Sequence, residues 1–370
     1  MKKMIFFFKQ LIKSILQNII FPIIYNLNRR NSIVNERVIL VDTSNDVMPV
    51  DFLLLKNNLI DEDYEIIEFY KNFANLGFIG KVKFVNSFYK VSSTAKIIVM
   101  CNYVLPVSSC NMKKETKVIQ LWHACGAYKK FGYDSIYDTP KGYHGRLARN
   151  YDLVTVSSDY CKSYFSSAFG LKNGEVNSFG VSRTDLLYDE EYKKTAFNKF
   201  YKMHPEAQNK KVILWAPTFR GYASNGSVVG LEEIEKINDI SDDYFVIMRL
   251  HSKIKKDTTL NDVDLNSIEI LLVSDYLISD YSSIIFEFAL LNKPIGLFIK
   301  DYEEYIINRG FYLDFDLDLP FSKLYNFEDI KKWLLNEKEF DNYDEFNNKF
   351  TASCDGNSTS RILQYIKGNI

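Results

Sequence analysis

The chain has 370 residues, of which 46% are hydrophobic and 25% charged, with 46 basic against 47 acidic side chains. This length is sufficient for two domains of ordinary size, each with its own core. The balanced charge and high hydrophobic content exclude a disordered chain. The chain also lacks the overall excess of basic residues that is typical of nucleic-acid-binding proteins, so an anionic ligand would have to be bound by basic residues clustered at one site.

The first 30 residues differ from the rest, because basic residues interrupt an apolar stretch. On a helix, one face would carry the apolar side chains of Ile5, Phe8, Ile12, Ile15, Leu16 and Ile19. The opposite face would carry Lys9, Gln10, Lys13, Ser14, Gln17 and Asn18. These interruptions argue against a bilayer-spanning helix and favour an amphipathic helix in the headgroup layer of an anionic membrane. A helix docked on the core and an uncleaved signal-like segment are the alternatives.

Short β-branched or aromatic runs, each followed by a polar turn and a helix-compatible stretch, recur along the rest of the chain. They are Val38–Val41, Ile97–Cys101, Val118–Trp122, Leu153–Val156, Val212–Trp215, Phe245–Leu250, Tyr276–Ile278 and Ile295–Ile299. This alternation predicts an α/β protein with parallel sheets covered on both faces. The charged, strand-poor segment Asp189–Lys211 divides the runs into two sets of four.

The predicted organisation is a membrane-association segment at 1–30 and two Rossmann-like domains at 31–190 and 191–370. Two such domains facing a central cleft form the architecture called GT-B, in which ligands bind beyond the carboxyl ends of the strands. The loop Gly221–Gly230 is rich in Gly and Ser and is predicted to be mobile. Five cysteines without a CxxC pair or dense spacing indicate a reducing cytoplasm. Without a signal peptide, we expect a peripheral protein on the cytoplasmic face of the membrane.

Two histidines and an arginine follow predicted strands. His123 follows Val118–Trp122, and an imidazole pKa of about 6.5 suits a general base at neutral pH. His251 comes after Phe245–Leu250, which contains Arg249. Arg220, two residues after Thr218, follows a third strand, where a guanidinium suits a pair of phosphate oxygens. Each of these residues taken alone has a structural alternative, but together they indicate a site.

A hydroxyl-rich turn follows a fourth predicted strand. It contains Ser279, Asp280, Ser282 and Ser283, and the apolar helical run Ile284–Leu291 comes directly after it. Free N–H groups and hydroxyls at a helix start bind phosphate, although Asp280 or Ser282 could simply cap the helix. The sequence has no metal-ligand cluster, P-loop, GxGxxG after the first strand or GxSxG elbow. The inventory therefore predicts a phosphoryl or nucleotide-diphosphate transferase without an obligatory metal or other cofactor.

Five ordered motifs resemble the successive signatures of the CDP-glycerol glycerophosphotransferases, the teichoic acid polyolphosphotransferases. They are LWHACGAYKKFG (Leu121–Gly132), SFGVSRTD (Ser178–Asp185), LWAPTFRG (Leu214–Gly221), RLHSK (Arg249–Lys253) and SDYLISDYSSIIFEFALLNKP (Ser274–Pro294). The resemblance covers roughly Val38 to the C-terminus. It implies a GT-B fold and a membrane-associated enzyme that transfers polyol phosphate from a CDP-polyol and releases CMP.

The resemblance also implies roles for individual residues. His123 would act as base on the acceptor hydroxyl, and His251 would lie beside the donor pyrophosphate. The donor and phosphate-binding residues would be Arg220, Thr218, Arg249, Ser279, Asp280, Ser282, Ser283 and Glu287. The acceptor-side or supporting residues would be Trp122, Gly126, Lys129, Arg183 and Asp185.

The sequence departs from the commonest family pattern at three positions. Ala124 stands in place of Gly after the WH pair, Ser252 in place of Pro after RLH, and Glu287 in place of Asp in the last motif. The first change leaves acceptor and polyol open. We expect CDP-glycerol as donor, with CDP-ribitol as the alternative, and an undecaprenyl-diphosphate-linked acceptor leading to wall teichoic acid or capsule. A membrane surface is an expected partner, nucleic acid is not, and a homo-oligomer stays open. A nucleotide-sugar glycosyltransferase and a catalytically idle membrane partner are the competing hypotheses.

Overall fold

A computed structural model describes residues 11–30, 32–136, 138–139, 143, 145–218, 220, 227–249, 260–336 and 342–368. Contacts divide the chain into two compact units. Unit 1 comprises Met1–His123, Phe131–Arg183 and Asn357–Ile370, and unit 2 comprises Ala124–Lys130 and Thr184–Gly356. The boundary between the two predicted Rossmann-like domains was at residue 190. In the structure, Ala124–Lys130 and Asn357–Ile370 each group with the unit that is distant from them in sequence.

Unit 1 is built on a parallel sheet of order β2-β1-β3-β4-β5-β6. Its strands are β1 (Val34–Asp42), β2 (Glu65–Tyr70), β3 (Ala95–Met100), β4 (Lys117–Gln120), β5 (Leu153–Thr155) and β6 (Val176–Asn177). Its helices are α1 (Phe21–Asn28), α2 (Leu53–Asp61), α3 (Phe78–Ser92), α4 (Leu105–Ser108), α5 (Lys162–Phe169) and the C-terminal α13 (Ser358–Ile366). Ile362 of α13 is fully buried in one core cluster with Leu55 and Leu59 of α2, so the end of the chain completes this unit.

Unit 2 is built on a second parallel sheet, of order β12-β11-β10-β7-β8-β9. Its strands are β7 (Lys211–Ala216), β8 (Tyr244–Met248), β9 (Asn261–Asp262), β10 (Tyr276–Ser279), β11 (Ile295–Phe298) and β12 (Ser322–Leu324). Its helices are α6 (Glu190–Met203), α7 (Leu231–Glu235), α8 (Ser267–Val273), α9 (Ile284–Ala289), α10 (Tyr302–Arg309), α11 (Phe327–Leu335) and α12 (Asp344–Phe350). Asn266 and Glu269 form a capping box at the start of α8, which satisfies N–H groups that the helix itself cannot.

The predicted α/β architecture with parallel sheets is confirmed, and each of the eight predicted runs contains a strand. The sequence missed four strands: β2, β6, β9 and β12. Three of these have only two or three residues, too few to show a periodicity, and β2 carries Glu65 and Glu68 within its apolar run. Strands of two or three residues form because they pair with neighbouring strands in the sheet, and their own hydrophobic periodicity does not predict them.

The N-terminal segment is helical from residue 11 to residue 28, with a π-helical turn at Leu16–Ile20. One of its polar residues is buried: Gln17 is 1% exposed, donates to the Arg146 carbonyl over 3.0 Å and accepts from the Tyr143 hydroxyl over 3.1 Å. Phe21 and Tyr25 are also buried, against Tyr89 of α3. The predicted apolar positions 5 and 8 lie outside the described residues.

The opposite side of this N-terminal helix is apolar and exposed. The exposed side chains are Leu11, Ile12, Ile15, Ile19, Ile23 and Leu27, with exposures between 41% and 82%. A helix docked only as part of the core would bury such a stripe. Among the described residues, no helix is both long and apolar enough to cross a bilayer.

Candidate active site

The carboxyl edge of the unit 1 sheet gathers the predicted base and several charged groups. Asp42 ends β1, Cys101 follows β3, His123 follows β4 and Arg183 lies beyond β6. Because the strands are parallel, their carboxyl ends meet at one edge of the sheet. The loop after β1 adds Asp51, which sequence reasoning missed because a single Asp in a polar loop gives no signal.

A hydrogen bond fixes the tautomer of His123. The Nδ1 atom lies 3.0 Å from the main-chain carbonyl oxygen of Cys101. A carbonyl oxygen can only accept, so Nδ1 carries the hydrogen and Nε2 keeps a lone pair. The imidazole is thereby held with its basic nitrogen available for a proton, as a general base requires.

The surroundings of His123 keep it neutral. Burial lowers the pKa of His123 below its ordinary value of 6.5, and the Arg183 cation lowers it further. Asp51 and Asp42 act in the opposite direction, as does the hydrogen bond to Cys101. The net lowering means that the imidazole is deprotonated at neutral pH.

Trp122 adopts a left-handed backbone conformation immediately before the histidine. Its φ is 58°, which is unfavourable for a bulky side chain. The conformation is supported by a hydrogen bond from its N–H to Gln120 Oε1 over 2.9 Å and by stacking of the indole on Phe131, with ring centroids 4.9 Å apart. The centroids of the Trp122 and His123 rings are 4.5 Å apart. Trp122 therefore fixes the direction of the chain after β4 and packs against one side of the imidazole.

In unit 2, Arg220 lies at the centre of an ion-pair network. Its Nε donates to Asp301 Oδ2 over 2.6 Å, and its NH2 donates to Asp301 Oδ1 over 3.0 Å and to Asp280 Oδ2 over 2.9 Å. Its NH1 donates to the Thr218 carbonyl over 2.6 Å. A guanidinium has five N–H donors, and acceptors among the described residues take four of them. Most of the hydrogen-bonding capacity of Arg220 is therefore used to hold Asp280, Asp301 and Thr218 in place, and little of it remains for binding a phosphate.

The carboxylates outweigh the effect of burial on the Arg220 cation. Burial acts to lower the pKa of Arg220, but its hydrogen bonds and charge interactions with Asp301 and Asp280 raise the pKa above its ordinary value. For Asp301, burial acts to raise the pKa, but the hydrogen bond from Arg220 leads to a net lowering. Arg220 and Asp301 are consequently both ionised at neutral pH.

Two stacked tyrosines and a lysine surround this network. The rings of Tyr281 and Tyr305 lie 3.9 Å apart at 17°, and the Arg220 guanidinium carbon is 4.9 and 4.6 Å from their centroids. The Tyr281 hydroxyl donates to Asp301 Oδ1 over 3.0 Å. Lys129 Nζ donates to the Tyr305 hydroxyl over 3.3 Å, which brings a second cation to the Arg220 network.

The hydroxyl-rich turn and Thr218 lie at the carboxyl ends of β10 and β7. Asp280 Oδ1 accepts from the backbone N–H groups of Thr218, over 2.7 Å, and Tyr281, over 2.6 Å. The Thr218 hydroxyl is buried, and no described residue forms a hydrogen bond with it. Ser279 donates to the Ala216 carbonyl over 2.6 Å, while Ser282 and Ser283 remain partly exposed. Asp280 is thus a buried organiser of the turn, and the hydroxyls beside it are the groups placed to meet a ligand.

The segment after His123 packs within unit 2. Tyr128 is 3% exposed and packs on Phe286, Phe311 and Phe315 at centroid distances of 5.8, 5.3 and 5.8 Å. Gly126 has a φ of +68°, and a Cβ there would lie 2.5 Å from the Phe286 ring, so only glycine fits. Gly126 and Lys129 were predicted as acceptor-side or supporting residues, and they lie in the unit that contains Arg220. Spacing along the sequence could not reveal this long-range packing.

The remaining predicted residues have diverse surroundings. Arg249 NH1 donates to the Leu265 carbonyl over 2.5 Å just after β8. Glu287 is 1% exposed inside α9, which favours a structural role, and Asp185 is 8% exposed in a 3₁₀ segment of unit 2. His251, Ser252 and Lys253 lie outside the described residues, as does most of the Gly221–Gly230 loop.

Comparisons with known proteins agree with the motifs. Residues 23–368 match the family described as CDP-Glycerol:Poly(glycerophosphate) glycerophosphotransferase. A teichoic acid ribitol-phosphate primase of Bacillus spizizenii is 29% identical over 293 residues, 74% of this chain and 75% of the primase. A teichoic acid glycerol-phosphate primase of Bacillus subtilis is 31% identical over 289 residues, 75% of this chain and 74% of the primase. The solved structure of the wall teichoic acid polymerase TagF has the same fold, with a TM-score of 0.77 at 20% identity over 98% of both chains.

Proposed function

This chain belongs to the CDP-glycerol:poly(glycerophosphate) glycerophosphotransferase family, and from that membership we propose that it transfers glycerol phosphate from CDP-glycerol to a hydroxyl of a lipid-linked acceptor. The acceptor oxygen forms a bond to the phosphorus of the glycerol phosphate. The bond from that phosphorus to the bridging oxygen breaks, and CMP leaves with the electron pair. The product is a teichoic acid or capsular polymer one unit longer.

The hydrogen bond from His123 to Cys101 is the observation that carries this proposal. It leaves Nε2 of a neutral imidazole as the proton acceptor, which suits removal of the proton from the attacking hydroxyl. The lowered pKa of His123 supports the same role, since the base must be unprotonated before the reaction. Positioning of the hydroxyl and the donor would supply much of the remaining rate enhancement.

Unit 2 is proposed to bind the donor. The groups that suit phosphate oxygens are the partly exposed Ser282 and Ser283, the Arg220 guanidinium and the Thr218 hydroxyl, which has no hydrogen-bond partner among the described residues. Arg220 acts there mainly by holding Asp280 and the Thr218 loop in place. His251 and Arg249 are proposed to stabilise the charge that develops on the leaving CMP.

The N-terminal helix is proposed to hold the protein at the cytoplasmic face of the membrane, where a lipid-linked acceptor would be found. Support comes from the burial of Gln17 with the exposure of Ile19, Ile23 and Leu27 on the other side of the helix. The flanking charges are basic, with Arg29 and Arg30 at its end, and no acidic residue occurs before Glu36. This combination suits an anionic bilayer surface.

Ribitol phosphate transfer from CDP-ribitol is the second candidate, because primases for both polyols match the chain at similar identity. The test is incubation of the purified protein with CDP-glycerol, CDP-ribitol and UDP-sugars in turn, each with a lipid-linked disaccharide analogue. We expect CMP release with CDP-glycerol. CMP release with CDP-ribitol alone would reassign the polyol, and UDP release without CMP would instead identify a glycosyltransferase.

A further inference from the structure

Asp51 is a buried carboxylate at the edge of unit 1 that carries His123. It lies in a 3₁₀ turn, Val50–Phe52, that leads into α2, and its side chain is 6% exposed. Its Oδ1 lies 3.5 Å from NH1 of Arg183, whose side chain is 13% exposed. No donor in the described part of the chain forms a hydrogen bond with this Oδ1, so charge is the main interaction between the two groups. A buried carboxylate in this state costs solvation free energy that its cationic partner must offset.

The turn that contains Asp51 is itself fixed to the segment that contains Arg183. The Asp51 carbonyl accepts a hydrogen bond from the Ser182 hydroxyl over 2.5 Å, and Ser182 is 1% exposed. Phe52, the next residue, is fully buried and stacks on Tyr70 with ring centroids 6.0 Å apart. The main chain thus places the Asp51 carboxylate against Arg183 with little freedom to move.

The other buried carboxylate at this edge is occupied differently. Asp42 Oδ1 accepts from the Ser44 N–H over 3.3 Å, and Asp42 Oδ2 accepts from the Asn45 amide over 2.6 Å. Its charge is therefore stabilised by its own loop. The charged groups that act on the His123 imidazole are Arg183, Asp51 and Asp42, besides the Cys101 carbonyl. Of the two carboxylates, Asp51 is the one paired with the cation.

We propose that Asp51 is a positioning residue for the base, because its carboxylate holds the Arg183 guanidinium at this edge and cancels its charge. The inference rests on the proposed role of His123. When His123 takes the proton from the attacking hydroxyl it becomes a cation, and an uncompensated Arg183 would oppose that change. With Asp51 in place, the imidazole faces a neutral pair, so it stays neutral at rest and still accepts the proton.

The test is Asp51→Asn, which removes the charge and keeps the shape. NMR titration of the His123 imidazole should show its pKa falling by on the order of one unit, because the Asp51 charge no longer opposes the effect of the Arg183 cation on the imidazole. The acidic limb of the kcat/KM profile for CMP release should move by the same amount, and kcat should fall at least about tenfold. Asp51→Glu should restore both. Asp46→Asn, in the same loop but exposed and paired with Lys71, is the matched control and should change neither.

A second variant keeps the proposal testable if Asp51→Asn folds poorly. Arg183→Met should raise the His123 pKa, and the double variant Asp51→Asn with Arg183→Met should return it close to the wild-type value, since both charges are then absent. A His123 pKa that does not respond to either single variant would overturn the inference. If the pKa moves as expected while the kcat/KM profile does not follow, the Asp51 pairing stands and the role of His123 as base fails.

Discussion

Arg220 and Asp301 are joined by a two-bond fork, with Nε to Oδ2 at 2.6 Å and NH2 to Oδ1 at 3.0 Å. The same guanidinium reaches Asp280, the carboxylate that holds the backbone of Thr218 and Tyr281. The motif residues of β7 and β10 are thus connected through one cation, and the aspartate that completes the fork belongs to neither motif.

Replacing Arg220 should therefore affect stability as well as donor binding. We expect Arg220→Met to lower the free energy of unfolding of unit 2 by about 3 kcal/mol, because the buried Asp280 and the partly buried Asp301 lose their counter-charge. Urea unfolding followed by hydrogen exchange in β7 and β10 would measure this. Lys300→Met is the control, since Lys300 is 54% exposed and solvent screening leaves its ion pair with Glu233 little effect on stability. Equal losses in the two variants would contradict the assignment of Arg220 as the organiser of this network.

His123→Gln should abolish transfer while leaving the donor bound. Loss of a general base typically costs on the order of 10²- to 10⁴-fold in rate. The rate of CMP release gives kcat, and calorimetry with CDP-glycerol gives donor affinity, which should stay within about twofold of wild type because His123 lies in unit 1. His204→Gln is the matched control, since His204 caps α6 in unit 2 and contacts Glu206. Collapse of donor affinity with transfer surviving at saturating donor would refute the base assignment.

The lowered pKa of His123 predicts two pH effects of the same sign. The imidazole must be neutral to act as base, so kcat/KM should be flat around pH 7 and fall only at a pH below 6.5. The free energy of unfolding should also fall as pH drops through 6.5, because the His123 imidazole is then protonated in the unfolded chain but still neutral in the folded chain. His123→Gln should lose this part of the stability profile. A kinetic midpoint above pH 7 would contradict the prediction.

Lys293 predicts a pH effect at the alkaline end. Burial lowers the pKa of Lys293 to about 8 from its ordinary 10.5, while its Nζ donates to the carbonyls of Leu272 and Ser274 over 3.1 and 2.5 Å. Between these two pH values the unfolded chain binds the extra proton, so the free energy of unfolding should rise with pH relative to Lys293→Met. Thermal melts from pH 7.5 to 10 would test this. Parallel curves for wild type and variant would mean that Lys293 stays charged in the folded protein.

The exposed apolar side of the N-terminal helix should be needed for membrane binding. Deleting residues 1–25 would also remove the buried Phe21 and Tyr25, so substitution is the cleaner experiment. We expect Ile19→Ser with Ile23→Ser to reduce co-sedimentation with anionic vesicles by at least about tenfold, since each change removes apolar area from the bilayer contact. Leu317→Ser, on an 86% exposed residue of unit 2, is the control. Unchanged sedimentation of the double variant would refute the proposed anchor.

The sequence predicted the sheet architecture and the residues that follow the strands, because apolar runs and polar turns carry that information locally. It placed His123 correctly after β4, and it interpreted Arg220 as a phosphate ligand. It could not show that Asp301 and Asp280 take most of the donors of that guanidinium, since Asp301 is 81 residues away. Asp51 was missed for the same reason, because its partner Arg183 is brought to it only by the fold.

The left-handed backbone conformation of Trp122 also could not be predicted from the sequence. Glycine is the residue that signals a positive φ, and here a tryptophan adopts it under the support of Gln120 and Phe131. The burial of Gln17 could not be predicted either. Periodicity placed Gln17 on the polar face of the helix, and its amide has partners in Tyr143 and the Arg146 carbonyl that only the folded chain provides.

The chain leaves unit 1 at Ala124, returns at Phe131, leaves again at Thr184 and returns at Asn357. No single cut therefore separates the protein into two fragments that each contain a whole core. A fragment ending at Arg183 would lack Ile362, and a fragment beginning at Thr184 would lack Tyr128. Recombination at one crossover point would damage both cores at once, so we expect the two units to have been inherited together rather than exchanged as separate modules.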